Sequence, residues 1–217
     1  ATFGLGFGPD PASADRATMG GVIANNATGA HSIRYGMAAD HLLSADVILA
    51  DATLATFDEI SLEKAAITAQ KASSNLEANF YATALHIRSE YDEQIRARWA
   101  KVWRNTSGYR LNYLLPWSPS RPSQWEHELY PNIKPSHINL ATLLAGSEGT
   151  LALMQRMTVN LVPLQREKIL VVMPFASIAD AADATPAILE QNPSAVELLP
   201  RILIDLAREV PAYAPLI

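Results

Sequence analysis

The residues of this chain that could do chemistry are concentrated in one stretch of glycines, prolines and short polar side chains, residues 8–29. The adjacent Gly20 and Gly21 would let the backbone approach a bulky ligand closely. Thr18 and Thr28 supply short hydroxyl groups on either side of this pair. Exposed backbone N–H groups suit phosphates or the polar edge of a heterocycle. Since few apolar residues could bury this segment, its composition predicts a ligand-binding loop, with tight turns as the alternative role of the glycines.

Further short patterns follow at intervals along the chain. Residues 34–36 read Arg-Tyr-Gly, and residues 146–151 read Gly-Ser-Glu-Gly-Thr-Leu. Between them, residues 103–115 form a longer pattern that includes Arg-Asn-Thr-Ser-Gly-Tyr at 104–109. Together with residues 9–13 and 18–29, they resemble the FAD-binding domain of the vanillyl-alcohol oxidase/PCMH flavoprotein superfamily. The branch that they resemble most is that of the FAD-linked D-lactate, glycolate and D-2-hydroxyglutarate dehydrogenases. Separated motifs in the right order make this resemblance specific, whereas a single glycine pair would not.

The resemblance implies FAD as the cofactor and identifies the residues that would surround it. Pro9 and Asp10 would lie along the isoalloxazine and ribityl groups, and Thr18 with the glycine pair would lie near the diphosphate and flavin. The whole implied set is Pro9, Asp10, Ser13, Thr18, Gly20, Gly21, Ile23, Ala24, Asn26, Gly29, Gly146, Glu148 and Gly149.

Three residues are candidates for binding an anionic substrate: Arg34, Arg104 and Tyr109. A guanidinium group forms a fork that suits a carboxylate, and a tyrosine hydroxyl can hydrogen-bond a carboxylate or the flavin edge. The alternatives are a surface role for the arginines and a core-filling role for the tyrosine. No catalytic residue is assigned, because oxidation of a 2-hydroxy acid needs a base and the family's histidine-rich segment does not occur here. The five histidines match no metal-ligand spacing, so no metal is expected.

Composition narrows the function classes further. The 217 residues carry a formal charge of −5, which gives no electrostatic case for binding nucleic acid. The absence of cysteine excludes disulfides and cysteine-ligated clusters within the chain and is compatible with a reducing compartment. No apolar stretch approaches the length of about 20 residues that spans a membrane. A cytoplasmic location is expected, with peripheral attachment to the inner face of a membrane left open.

The elements that must position these residues can be read from the apolar pattern. Residues 45–50 and 54–57 predict a hairpin, Ser61 predicts the start of a helix over 62–72, and residues 74–77 form a capping box that opens another helix. Apolar residues at three- and four-residue steps from Leu76 to Trp99 predict a stripe packed on the sheet, with a partner-binding helix as the alternative. The proline-rich residues 116–139, which include Trp117 and Trp125, predict a surface insertion.

The predicted fold class is α+β: the second subdomain of a PCMH-type FAD-binding domain, followed by the start of a ferredoxin-like substrate-capping domain. Residues 1–165 would form the first part, with a helical segment at 61–104, and residues 166–217 the second. In the second part, strands are expected at 168–175 and 194–199, and helices at 178–190 and 201–210. A half-built sheet of this kind has an uncovered edge, so self-association is expected.

Two functions remain open from the sequence. The first is that the chain is part of a longer FAD-dependent enzyme that oxidises a small D-2-hydroxy acid and passes the electrons to an acceptor that the sequence does not identify. The pyrophosphate-gripping loop of the family and the catalytic base are both missing here, so the chain alone should be inactive. The second is a non-catalytic scaffold, in which the helical stripe and the tryptophan-bearing loop contact a partner.

Overall fold

The computed structural model describes residues 3–216, which fall into two compact units that divide between Leu164 and Gln165. The first unit mixes short helices with small antiparallel sheets, which agrees with the α+β class at that level. Its strands are β1 (Leu5–Gly6), β2 (Leu42–Ile48), β3 (Leu54–Phe57), β4 (Glu59–Ser61), β5 (His137–Asn139), β6 (Leu153–Val159) and β7 (Val162–Pro163). Its helices are α1 (Met19–Ala24), α2 (Ser32–Tyr35), α3 (Ala38–His41), α4 (Leu62–Ala69), α5 (Leu76–Glu90), α6 (Asp92–Arg98) and α7 (Leu111–Leu114).

The largest sheet has three antiparallel strands in the order β3-β2-β6. The hairpin predicted from residues 45–57 is confirmed, and Val47 pairs with Ala55 on one side and Met154 on the other. Its turn places Ala52 at a φ of 67°, a left-handed conformation that glycine adopts more readily. The other strands form two-stranded pairs, β1 with β7 and β4 with β5.

Helices α4 and α5 pack against each other, and α5 also contacts the hairpin strand β3. The predicted cap at Ser61 is confirmed, because its Oγ accepts the N–H of Lys64 at 3.2 Å. The cap of α5 is Asn75 rather than Ser74, since the Asn75 side chain accepts the N–H of Ala78 at 3.0 Å. The core between these elements includes Phe57, whose ring meets that of Tyr81 edge to face.

The expectation of a surface insertion at residues 116–139 is wrong for its central part. Trp125 is only 3% exposed, and its ring lies 5.7 Å from that of His41 and 5.6 Å from that of Tyr130. The segment then returns to the core as β5, which pairs with β4. Prolines interrupt regular structure without preventing burial, so a proline-rich stretch with large aromatic residues can cover a core as irregular chain.

The second unit contains α8 (Ile178–Leu189) and α9 (Arg201–Glu209), close to the two helices predicted there. Ser177 caps α8 as expected, and its Oγ accepts the N–H of Asp180 at 3.1 Å. The strands predicted at 168–175 and 194–199 are not formed, and Ile169 and Leu170 are about 90% exposed. A strand needs a partner for its backbone N–H and C=O groups, and no other strand is found in the described part of this unit. The ferredoxin-like arrangement therefore stays a prediction.

In the part of the chain that the structure describes, none of the helices has the length and apolar character needed to cross a membrane.

Candidate functional site

The glycine pair lies at the start of a short helix whose other face is buried. Thr18 precedes α1 in an extended conformation, and its Oγ1 accepts the N–H of Gly21 at 3.3 Å. Val22 and Ile23, the next two residues of α1, are buried in the core. Gly21 is exposed and Gly20 is half-buried. The helix is thus anchored by its apolar residues and presents the two glycines outward.

Packing within the chain does not require glycine at either position. A Cβ atom added at Gly20 would have the Met157 Cε as its nearest neighbour, at 4.0 Å. One added at Gly21 would meet only the Thr18 Oγ1, at 3.4 Å. Both are ordinary van der Waals distances, and glycine inside a helix costs about 1 kcal/mol relative to alanine. The pair therefore leaves bare backbone on the surface, as the close approach of a large ligand would require.

The second motif is attached to the end of the same helix. The N–H of Glu148 donates to the Ala24 carbonyl at 3.0 Å, and that of Gly146 donates to the Ile23 carbonyl at 3.4 Å. Glu148 and Gly149 are exposed, while Gly146 is buried. One helical turn separates Ala24 from Gly21. We call Thr18, Gly20, Gly21, Glu148 and Gly149 the glycine surface.

A third motif, residues 104–109, joins the first two. The Arg104 guanidinium donates to the Thr28 Oγ1 at 3.0 Å, and the Tyr109 hydroxyl shares a hydrogen bond with the Thr150 hydroxyl at 2.8 Å. Between them, the Gly108 carbonyl lies so close to Gly146 that a Cβ there would be 2.6 Å from it. The structure thus brings together three motifs that are far apart in the sequence, with Arg104 and Tyr109 both exposed at the junction.

Several of the implied cofactor residues are used within the protein. Asn26 is fully buried: its Oδ1 accepts the N–H of Ala39 at 2.9 Å, and its Nδ2 contacts the Met37 Sδ at 3.7 Å. A Cβ at Gly29 would lie 1.9 Å from the Asp10 carbonyl oxygen, so this glycine is required by the chain itself. These residues form the support of the glycine surface.

The remaining predicted residues are divided between support and surface. Pro9 and Ile23 are buried and Ala24 is half-buried, whereas Asp10 and Ser13 are exposed. The Asp10 carboxylate contacts the His31 Nδ1 at 2.8 Å. Arg34 lies on α2, where its guanidinium stacks 5.5 Å from the centre of the Tyr35 ring. This contact is with the next residue of the same helix.

Sequence reasoning missed three residues at the junction: Gly108, Arg110 and Thr150. The signal for Gly108 and Thr150 was available, because each lies inside a recognised motif. Arg110 lies inside the recognised segment 103–115 as well, but at a position where the family pattern specifies no residue type. It is nevertheless only 1% exposed.

A second polar cluster lies in the core near α3. The Asp40 carboxylate accepts hydrogen bonds from the hydroxyl of Tyr113, from that of Tyr130 at 3.3 Å, and from the N–H of Met37 at 2.7 Å. Burial raises the pKa of Asp40, and the hydrogen bond from Tyr113 opposes this rise. Burial also raises the pKa of Tyr113. Asp40 and Tyr113 line a cavity of about 250 Å³.

Comparison with known proteins identifies the same kind of protein as the motifs do. Residues 1–58 match the family described as "FAD binding domain". D-2-hydroxyglutarate dehydrogenases of Pseudomonas putida and Escherichia coli are each 26% identical over 94% and 95% of this chain, respectively. A D-lactate dehydrogenase of Archaeoglobus fulgidus is 24% identical over 95% of it. The matches cover 18%, 19% and 31% of those proteins, so the chain spans about a fifth to a third of their length. Residues 1–58 are therefore similar to an FAD-binding domain, and most of the chain is similar to a segment of D-2-hydroxyglutarate and D-lactate dehydrogenases.

Proposed function

We propose that this chain forms one wall of the FAD site in an enzyme that oxidises a small D-2-hydroxy acid of the D-lactate, glycolate or D-2-hydroxyglutarate type. The observation that carries the proposal is the glycine surface, where bare helical backbone is left open although the fold does not need glycine there. The names of the related dehydrogenases support the substrate class. The chemistry supplied by bound FAD would be acceptance of a hydride from the carbinol carbon.

Some residues of the chain would then bind the cofactor and others the substrate. The backbone of Gly20, Gly21 and Gly149, with the Thr18 side chain, would hold the cofactor by close approach. Arg104 and Tyr109 would bind the substrate carboxylate, since both are exposed beside the glycine surface and carry hydrogen-bond donors. The chain alone is proposed to be inactive, with the catalytic base supplied by another part of a longer protein.

The test is FAD retention by the protein extended at its N-terminus through the rest of the FAD-binding domain. Gly20→Val and Gly21→Val should lower FAD affinity at least about tenfold, or about 1.4 kcal/mol, because the side chain occupies the space of the ligand. Visible absorption and flavin fluorescence quenching measure the retained cofactor. Ala97→Val is the matched control, since Ala97 is an exposed helical residue of α6. Normal FAD retention by both glycine variants would overturn the assignment.

One observation favours the scaffold as a second function. The carboxyl-terminal half of the apolar stripe lines an open groove of about 400 Å³. Its walls are mainly apolar and include Ile87, Tyr91, Ile95, Trp99 and Leu111. The loop tryptophan Trp125 is buried, so it would not take part in such an interface. A folded, extended protein that retains no FAD would favour this function over the enzymatic one.

The binding partners and the cellular location of the protein are proposed from the sequence alone. The proposed substrate is a small molecule, and the electron acceptor is left open. Self-association is proposed through the exposed apolar residues 169–173 rather than through a formed sheet edge. Light scattering that shows a monomer at all concentrations would contradict it. A cytoplasmic location, at most peripheral to a membrane, stays a prediction.

A further inference from the structure

Arg110 carries a charge that is completely buried in the protein. Its side chain is 1% exposed, and its Nε and Nη2 atoms have no hydrogen-bond partner. Among the described residues, no carboxylate lies within salt-bridge distance of it. Burying an unpaired charge is unfavourable. Other interactions must therefore offset the free-energy cost of burying this guanidinium.

Two aromatic rings and a distant carboxylate supply the compensation. The guanidinium carbon lies 4.4 Å from the centre of the Tyr113 ring and 5.4 Å from that of Trp99, both suitable for cation–π attraction. The Tyr113 hydroxyl donates to the Asp40 carboxylate, so cation, ring and anion form a continuous chain. The positive charge of Arg110 in turn lowers the pKa of Asp40 against the larger effect of burial.

Among the described residues, the Arg110 side chain makes one hydrogen bond, and this bond closes a loop. Its Nη1 donates to the Asn105 carbonyl at 2.6 Å. Asn105 directly follows Arg104, and Arg110 directly follows Tyr109. The bond therefore joins the two ends of the segment at the residues next to both candidate substrate ligands. Within the segment, the Gly108 carbonyl lies against Gly146 of the second motif.

We propose that Arg110 is a positioning residue, whose buried guanidinium clamps residues 104–110 so that Arg104 and Tyr109 are held beside the glycine surface. The clamp itself is a property of the fold, while its consequence for substrate binding rests on the proposed function. Lysine cannot replace arginine fully here, because a single ammonium cannot both stack as a plane between two rings and keep the directed bond to Asn105.

The first experiment measures amide hydrogen exchange in the chain without cofactor. Arg110→Met should speed exchange of residues 104–110 at least tenfold while exchange in α5 stays unchanged, and Arg110→Lys should give a smaller increase. If α5 accelerates together with the loop, Arg110 has only a general structural role and the proposal is overturned. Unchanged exchange of the loop would overturn it as well.

Two further variants keep the experiment decisive. Arg96→Met is the matched control. Arg96 also lies over a tryptophan, 5.1 Å from the centre of the Trp117 ring, but among the described residues its side chain hydrogen-bonds Asp92 and none of residues 104–110. This variant should leave loop exchange as in the wild type. Should Arg110→Met fail to fold, Trp99→Leu removes one wall of the stack and should loosen the same loop. Wild-type loop exchange in a folded Trp99→Leu, together with wild-type exchange in Arg110→Lys, would overturn the clamp.

A second experiment uses the longer FAD-loaded enzyme. Arg110→Lys should raise KM for the 2-hydroxy acid about tenfold, with a smaller change in kcat and unchanged FAD content. A loosened loop with an unchanged KM would support the clamp and contradict the substrate-binding part of the proposed function. An unchanged loop with a raised KM would overturn the clamp, so failure of the clamp and failure of the proposed function are distinguishable.

Discussion

The glycines of the first motif have different roles, which single substitutions can separate. Gly29→Ala should lower the free energy of unfolding by about 1–3 kcal/mol, because the new methyl group would collide with the Asp10 backbone. Gly20→Ala should leave it unchanged or raise it by up to about 1 kcal/mol, because the site is open and alanine favours the helix. Urea unfolding measures both. Equal destabilisation by the two substitutions would show that Gly20 is also needed for packing.

A buried histidine should make stability depend on pH. His41 is fully buried, and its Nε2 bonds the Tyr35 carbonyl at 2.7 Å. Burial lowers the pKa of His41 below its ordinary 6.5. The unfolded chain therefore binds a proton more readily, so this contribution to stability is complete above pH 6.5 and is lost as the pH falls toward the lowered folded-state pKa. The slope reaches up to about 1.4 kcal/mol per pH unit.

The control is His41→Gln, which keeps a donor for the Tyr35 carbonyl but does not titrate. Asp40 acts in the opposite sense, since its raised pKa favours folding at low pH and this contribution is lost as the pH rises through the folded-state pKa. The difference in unfolding free energy between wild type and His41→Gln removes most of this background. A difference that stays constant from pH 7.5 to about 5 would contradict a depressed His41 pKa.

At the scale of elements, the packing of β3 against α5 should contribute strongly to the free energy of unfolding of the first unit. Phe57 is 1% exposed, and its ring lies 5.7 Å from that of Phe80 and 6.3 Å from that of Tyr81. Phe57→Ala should lower the free energy of unfolding by about 3–5 kcal/mol through lost burial and a cavity. Leu54→Ala on the same strand is the control, because Leu54 is 70% exposed and should change stability by less than about 0.5 kcal/mol. Similar losses in chemical denaturation would show that the strand is not packed this way.

Local signals account for the elements that sequence analysis predicted. The hairpin at 45–57 and the caps at Ser61 and Ser177 depend on residues only a few positions apart, so the sequence contains the information directly. The burial of Trp125 and the pairing of β4 with β5 depend on residues far apart in the chain, and no local pattern specifies them. The strand predicted at 168–175 also depended on distant residues. An apolar run favours a strand, but a strand forms only where a partner strand pairs with its backbone.

At the scale of the whole molecule, three segments that are distant in the sequence form the candidate site. Sequence motifs identified each segment, and the resemblance implied that the first and last share a cofactor. The contacts that join them, such as the pairs Arg104–Thr28 and Tyr109–Thr150, follow from the folded chain and could not be read from spacing. The division into exposed surface and buried support likewise required the structure, because Gly20 and Gly29 look alike in sequence.

The two units should differ strongly in protection from hydrogen exchange. The first contains an extensive buried core, whereas no described residue from 165 to 215 is buried and the exposed fractions of Ile169 and Leu170 are near 90%. Local opening is easy where few apolar contacts and few protected backbone hydrogen bonds resist it. Amides of residues 165–216 should therefore exchange at least about a hundredfold faster than those of β2 and α5 at neutral pH. Mass spectrometry of exchanged peptides measures this, with the peptide over α4 as an internal control. Comparable protection of α8 and α5 would show that the second unit is covered in solution, as self-association through residues 169–173 would produce, and dilution should then remove the protection.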